Sequence, residues 1–174
     1  TPKPSSAASD VYKRQVYGEL SIVPYMPEGD ESSDADGFDW AGVKFDIAVK
    51  YDELERDGRP AYPVFLRIRV PNNGEGKKAP YAITAAIMGG FVYSGDKSKE
   101  DALDLVVVNG LSILYSSLRE MILTTTSRMI NGALYLPGAN FMDHAPSLRN
   151  VVKKASPKKA PLKQALKAKK SAAE

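Results

Sequence analysis

Cysteine is absent from the 174 residues, which excludes disulfides, thiolate metal sites and a cysteine nucleophile. Histidine occurs once, at His144. One histidine plus carboxylates would be an unusual zinc ligand set. A Ser-His-Asp triad would have to use the same residue, and no serine sits in a nucleophile elbow. No G-x-x-x-x-G-K-S/T phosphate loop occurs, so ATP-driven action is not expected. Long apolar runs are also missing. Leu105–Val108 is among the longest, far below a membrane span. The start shows no basic n-region followed by an apolar h-region. The expectation is a cytoplasmic protein with no stable membrane insertion, no cofactor and no bound metal, and an enzyme is the weakest functional class.

What is present is an asymmetric charge. The net charge is +3. Residues 153–174 hold eight Lys and one Glu, so the remainder holds sixteen Lys and Arg against twenty Asp and Glu. An acidic body carries a basic tail. From Ala155 the tail is Lys, Ala and Pro, with too few large apolar side chains to offset the entropy of ordering. Three segments follow. Residues 1–15 are Ser/Ala-rich and read as a translated sequencing adapter. Residues 16–152 form one domain, and 153–174 a disordered Lys-rich tail.

Hydrophobic periodicity assigns the domain's elements. Val16–Val23 is β-prone and ends at Pro24 and Pro27. Glu28–Asp39 is an acidic loop. Within Trp40–Tyr51, Val43, Phe45, Ile47 and Val49 alternate with polar residues, which predicts a strand with one buried face. Asp57-Gly58 marks a turn. In Tyr62–Val70 the residues Tyr62, Val64, Leu66, Ile68 and Val70 point inward, and Phe65, Arg67 and Arg69 outward. Pro71-Asn72-Asn73-Gly74 is a turn. Tyr81–Tyr93 is a strand, with a bulge or bend expected at Gly89-Gly90. Ser98 is a helix N-cap with Asp101 three residues on. A long helix follows from Ala102, kinked or divided at Asn109-Gly110 and ended by Asn131-Gly132. A short second helix starts near Asn140 and runs towards Val152. Strands first and helices after predict an α+β fold: a four-stranded antiparallel sheet with helices on one face.

Glu19-Leu20-Ser21-Ile22, Gly89-Gly90-Phe91, Ile113-Leu114-Tyr115, Leu118-Arg119-Glu120, Ser127-Arg128 and Leu136-Pro137…Asn140-Phe141 follow one another in an order and spacing that resemble the SecB-type protein-export chaperones. The resemblance covers roughly residues 16–148. It implies a chaperone without a nucleotide cycle that binds unfolded polypeptides or preproteins and keeps them competent for translocation. It also implies a homotetramer, as a dimer of dimers. The client-binding groove it implies would draw on Phe65, Ile87, Phe91, Tyr93, Tyr135, Leu136, Phe141 and Met142. Aromatic and Met side chains suit such a role because they bind many sequences by area and polarizability. Leu111, Leu114, Leu118, Arg119 and Glu120 are expected at the oligomer interface.

The chain departs from the family at two places. An acidic residue that helps dock the translocase motor ATPase would fall near Ala85, and no acid occurs between Tyr81 and Tyr93. The Lys-rich tail is also atypical. Two alternatives therefore stand beside export: a dedicated SecB-like chaperone of a toxin–antitoxin or other single client, and a nucleic-acid-binding protein acting through the basic tail.

Overall fold

The computed structural model describes residues 14–27, 34–56, 59–73, 76–93, 95–96 and 98–147. Five strands precede one helix: β1 Arg14–Pro24, β2 Asp46–Tyr51, β3 Leu54–Arg56, β4 Arg59–Val70, β5 Tyr81–Val92 and α1 Lys99–Thr126. The sheet order is β1-β5-β4-β2, with β3 paired to the start of β4. All these pairings are antiparallel. The fold is α+β, a sheet with one long helix packed on β4 and β5. The Lys-rich tail and the end of the expected second helix lie outside the described residues. Within them, a 3-10 turn at Met142–His144 comes first, and helix begins at Pro146, later than the expected start near Asn140.

The inward alternation of β4 comes out as the sequence predicts: Tyr62, Val64, Leu66, Ile68 and Val70 are buried. Their register partners on β5 and β2 share the inner face, so Leu66 stands between Ile87 and Val49, and Ile68 between Ala85 and Ile47. On α1, Val106, Val107, Gly110, Leu111, Leu114, Leu118 and Ile122 fall on one buried face, as a 3.6-residue period requires. Each fully buried aliphatic side chain contributes roughly 1.5–3 kcal/mol.

Several local expectations change. The strand predicted from Trp40 begins only at Asp46. A turn intervenes, in which the Val43 amide donates to the Trp40 carbonyl at 3.1 Å and Gly42 takes φ +80°. Val43 and Phe45 still pack on the core. β3 is an additional strand. Arg56 faces Arg59 across Asp57-Gly58, which lies outside the described residues. β1 starts at Arg14, two residues before the predicted run. The bulge is in β1, between Tyr17 and Glu19, and β5 runs through Gly89-Gly90 without a register shift.

Those glycines have a packing cause instead. A Cβ on Gly89 would lie 2.9 Å from the Phe91 ring and 3.0 Å from Leu114 Cδ2. A Cβ on Gly110 would lie 3.0 Å from the same ring. Phe91 is fully buried, wedged between two positions that tolerate only hydrogen. Gly110 is thus a seat for the ring, and α1 continues through it as 28 unbroken residues. The helix is not divided at Asn109-Gly110, and the close approach offsets the helix-propensity cost of glycine, about 1 kcal/mol.

The helix also ends earlier than Asn131. Thr125 Oγ1 donates to the Met121 carbonyl at 2.7 Å, Thr126 Oγ1 to Ile122 at 2.8 Å, and Ser127 Oγ to Thr124 at 2.9 Å. The Thr125 and Thr126 hydroxyls share carbonyls that helical amides already use, and Ser127 Oγ satisfies one carbonyl of the last turn; such back-bonding disfavours further helix. At the other end Ser98 Oγ accepts from the Asp101 amide at 3.2 Å and donates to its carboxylate at 2.8 Å, the N-cap the sequence predicts. By length and composition α1 is apolar enough to cross a membrane, but one of its faces is the floor of the core.

Replacing Gly89 by valine tests the wedge. Valine favours strands, so packing alone would make it harmful. The expected loss is about 1–3 kcal/mol from overpacking, read by urea unfolding. Gly138→Ala, where nothing lies within 4 Å of a new Cβ, should change stability by less than about 0.5 kcal/mol.

Candidate functional site

After α1 the chain turns back along the helix as a strap, residues 133–141. It alternates: Leu134 is buried, Tyr135 is 57% exposed, Leu136 is buried. Three hydrogen bonds hold its backbone. The Leu134 amide donates to Thr126 Oγ1 at 2.9 Å. Trp40 Nε1–H donates to the Tyr135 carbonyl at 2.8 Å. The Tyr115 hydroxyl donates to the Pro137 carbonyl at 2.7 Å. Beyond them, Phe141 packs edge-on against Tyr115 with centroids 5.5 Å apart, and Met142 projects outward, 57% exposed.

An open depression of about 290 Å³ lies between the strap and α1, lined by Ser116, Arg119, Glu120, Leu123, Tyr135 and Leu136. It has the size for a side chain or two of a bound polypeptide. Arg119 and Glu120 are exposed on its rim. Across the strap lies an aromatic layer that the sequence reading missed. Trp40 packs edge-on between Phe38, at 5.4 Å, and Phe45, at 5.7 Å. Lys77 Nζ lies 4.9 Å above the Phe38 ring and 3.1 Å from the Asp39 carboxylate. The Ala41 amide, donating to Asp39, holds that carboxyl below its ordinary range, and Lys77 adds to the effect. The available signal was three aromatics within eight residues, at Phe38, Trp40 and Phe45, in a Gly/Asp-rich loop. The strand assignment obscured it.

The eight residues expected to line one groove do not come together. Tyr135 presents an exposed side chain on the strap, and Met142 one on the turn just after it. Leu136 and Phe141 are buried beneath it; only Leu136 reaches the depression's wall. Ile87 and Phe91 are fully buried under α1, because their strand parity turns them towards the helix. Tyr93 is half-buried just past β5. Phe65 lies on the opposite face of the sheet, beside Met88 and Lys50.

The residues expected between subunits also divide. Leu111, Leu114 and Leu118 are fully buried within their own chain, since they occupy the sheet-facing stripe of α1. They are core positions rather than interface ones; Arg119 and Glu120 are on the surface. What α1 does leave bare is an uncharged face. No Asp, Glu, Lys or Arg occurs from Leu105 to Leu118. Ser112, Ser116 and Ser117 donate back to the carbonyls of Val108, Ser112 and Ile113, and Ile113 is exposed. β1 is a second element with exposed apolar side chains, although the Tyr17 hydroxyl donates to the Ser117 carbonyl of α1 at 3.3 Å. It forms one edge of the sheet, and Val16, Tyr17, Leu20 and Val23 are each at least 40% exposed.

Ala85, where the resemblance places a docking acid, is fully buried and faces α1. Its neighbours on the outer face of β5 are Thr84 and Ala86. His144 is half-buried beside Phe141, with ring centroids 5.9 Å apart. Among the described residues, no three His, Asp or Glu side chains come together to hold a metal ion.

No family model matches the chain, and no curated protein matches it. Among solved structures it is similar to a protein of unknown function from Streptococcus agalactiae, with 10% identity, a TM-score of 0.50 and coverage of 74% of this chain and 96% of that one. It is also similar to a SecB-like chaperone of Mycobacterium tuberculosis in complex with a peptide from an antitoxin, with 13% identity, a TM-score of 0.46 and coverage of 74% and 89%. At these identities the likeness is one of fold.

Two measurements probe the strap. Thr126→Val keeps the shape but removes the acceptor for the buried Leu134 amide. It should cost about 1–3 kcal/mol and speed hydrogen exchange at Leu134. Burial pushes the Tyr115 hydroxyl up to about 12, against a smaller opposing effect of Arg119. The neutral phenol is the form that folding favours, so the folded state holds this proton more tightly than the unfolded state. That stabilisation is complete below about pH 10 and disappears as pH rises towards 12, at no more than about 1.4 kcal/mol per pH unit. Tyr115→Phe should flatten the decline over this window in chemical denaturation series.

Proposed function

We propose that this protein is an ATP-independent chaperone that holds non-native polypeptides on exposed apolar surface. The observation that carries the reading is the strap. It presents Tyr135 outward beside an open depression, with Met142 exposed on the turn that follows, while its backbone hydrogen bonds and buried neighbours hold it in place. Large exposed apolar side chains cost solubility, and their grouping marks an interaction surface. Aromatic and thioether groups accept many partner sequences without fixed geometry. The ordered motif set that resembles the SecB-type chaperones supports the same reading. The absence of a phosphate loop from the sequence fits action without ATP. We place the protein in the cytoplasm.

We further propose a homotetramer. The uncharged outer face of α1 and the bare edge of β1 are its contact surfaces, in place of Leu111, Leu114 and Leu118. An eleven-residue edge strand with four exposed apolar side chains and little charge is a pairing hazard for a monomer, and a second copy would cover it. Several weak client sites on one particle would also raise avidity above that of one depression.

Delivery of preproteins to a translocase motor is what the motif set implies. A dedicated client is the second reading, and the outer sheet face favours it. Where the resemblance expects acids, β5 offers Ala82, Thr84, Ala86, Met88 and Gly90. Glu19 on neighbouring β1 and Asp46 on β2, two strands away, are already paired with Arg67 at 3.0 Å and Lys44 at 3.7 Å.

The test is suppression of aggregation of a chemically unfolded secretory precursor by the full chain, with light scattering giving particle size in the same sample. Suppression without nucleotide, little affected by moderate salt, is expected from a tetramer-sized particle. Tyr135→Ser with Met142→Ser should weaken it several-fold and leave the melting temperature nearly unchanged, because both side chains are exposed. A well-folded particle that suppresses nothing would exclude a general holdase.

A further inference from the structure

The edge of the sheet opposite β1 is β2, and no described strand pairs with its far side. The register fixes which of its backbone groups are free. The Asp52 amide donates to the Pro63 carbonyl at 3.0 Å. That pair continues the β2–β4 register, in which Lys50 stands opposite Phe65, Ala48 opposite Arg67 and Asp46 opposite Arg69. Hydrogen-bonded pairs alternate along an antiparallel ladder. The even-numbered residues therefore bond to β4, and the N–H and C=O groups of Ile47, Val49 and Tyr51 point away from the sheet. Among the described residues no hydrogen-bond partner meets them. Their side chains lie on the helix side, yet they are only half-buried, because α1 packs on β4 and β5. An edge with apolar side chains and unpaired backbone groups is a template for another strand.

The outer side chains say which strand fits. In order they are Lys44, Asp46, Ala48, Lys50 and Asp52. Lys44 and Asp46 are 3.7 Å apart and both exposed, and Asp46 also has Arg69 across the ladder. Lys50 has Asp52 next to it on the same face. Read backwards about Ala48, the order is the same with every sign exchanged. Two antiparallel copies of β2 centred on Ala48 therefore set Asp46 opposite the partner's Lys50, and Lys44 opposite the partner's Asp52. On the helix side Ile47 meets the partner's Val49. Both have outward backbone groups, so the register that matches the charges is one that main-chain hydrogen bonds allow. The neighbouring registers that keep the two faces aligned bring like charges together. A centre at Ile47 sets Lys44 against the partner's Lys50, and a centre at Val49 sets Asp46 against the partner's Asp52. Centres at Asp46 or Lys50 set that residue against its own copy.

We propose that the β2 edge is a self-association site, at which two copies pair antiparallel about a twofold axis at Ala48 and join their sheets into one. The occupant is a second copy of this chain, because β2 itself carries the sign-exchanged order that the edge requires. The contact is isologous. It is separate from the β1 edge and from the strap, and it does not rest on the chaperone reading. A six-residue edge is small for a permanent interface, so the pairing is a reversible step that grows with concentration. Where β1 edges are joined, as in the tetramer proposed above, it links those particles end to end.

The experiment follows the mass of the full chain by sedimentation velocity as its concentration is raised at low ionic strength. The wild type should grow above its dilute mass, and added salt should weaken the growth. Asp46→Lys and Lys50→Asp each place like charges across the axis. Each variant alone should associate roughly tenfold more weakly, or worse. An equimolar mixture of the two should regain association near the wild-type level, because each supplies the charge that the other lost. The chain carrying both substitutions should regain it too. Both positions are exposed, so urea midpoints should stay close to the wild type, and damage to the fold cannot produce rescue on mixing. A wild type whose mass does not rise would overturn the proposal. So would single variants that grow as the wild type does, or a mixture no heavier than its components. Weaker suppression of aggregation by the single variants in dilute solution would assign the edge to clients and overturn it as well; unchanged suppression is expected. A wild type that suppresses nothing leaves this test intact, because association is read without a client.

Discussion

The seating of Phe91 between Gly89 and Gly110 is the contact from which the remaining geometry follows. A ring held between a strand glycine and a helix glycine lets α1 approach β5 closely, and that approach sets the helix's rotation. With the rotation set, Leu111, Leu114, Leu118 and Ile122 meet the inner faces of β4 and β5. The serine-rich, uncharged face is thereby turned outward. A side chain at either glycine would move the helix, and the helix carries the attachments of everything after it.

The strap depends on that placement. Thr126 and Tyr115 are helix residues whose hydroxyls hold the strap backbone, and Trp40 reaches it from the segment between β1 and β2. The strap's inward residues, Leu134, Leu136 and Phe141, complete the core. Its outward residues have no intrachain role of that kind. This separation lets one short segment be rigid in backbone and still offer adaptable side chains, which suits weak contact with many sequences.

Charge is divided between the two faces of the sheet in a way net composition conceals. The first turn of α1 carries Glu100 and Asp101, which complement the helix dipole. On the outer face Glu19 pairs with Arg67 across the strands, and Asp46 lies opposite Arg69 in the register. Short-range pairing decides which charges are available there; long-range totals do not, since screening confines exposed charges to about 8–10 Å at physiological salt.

The inner pattern of β4, the long helix, its Ser98 cap and the α+β order of elements were legible in the sequence, because period-2 and period-3.6 burial and capping chemistry are local properties. Tertiary structure decided the rest. Gly89-Gly90 and Gly110 read locally as a bend and a kink, yet two of these three glycines are spaces for one ring brought in from β5. Trp40 and Phe45 fit a strand pattern, yet the turn at Gly42 places them in an aromatic layer against the strap. Ile87, Phe91 and Leu114 are as apolar as Tyr135 and Met142. Only packing determines which apolar residues fill the core and which face water, because a side chain's exposure depends on the neighbours that the fold brings to it.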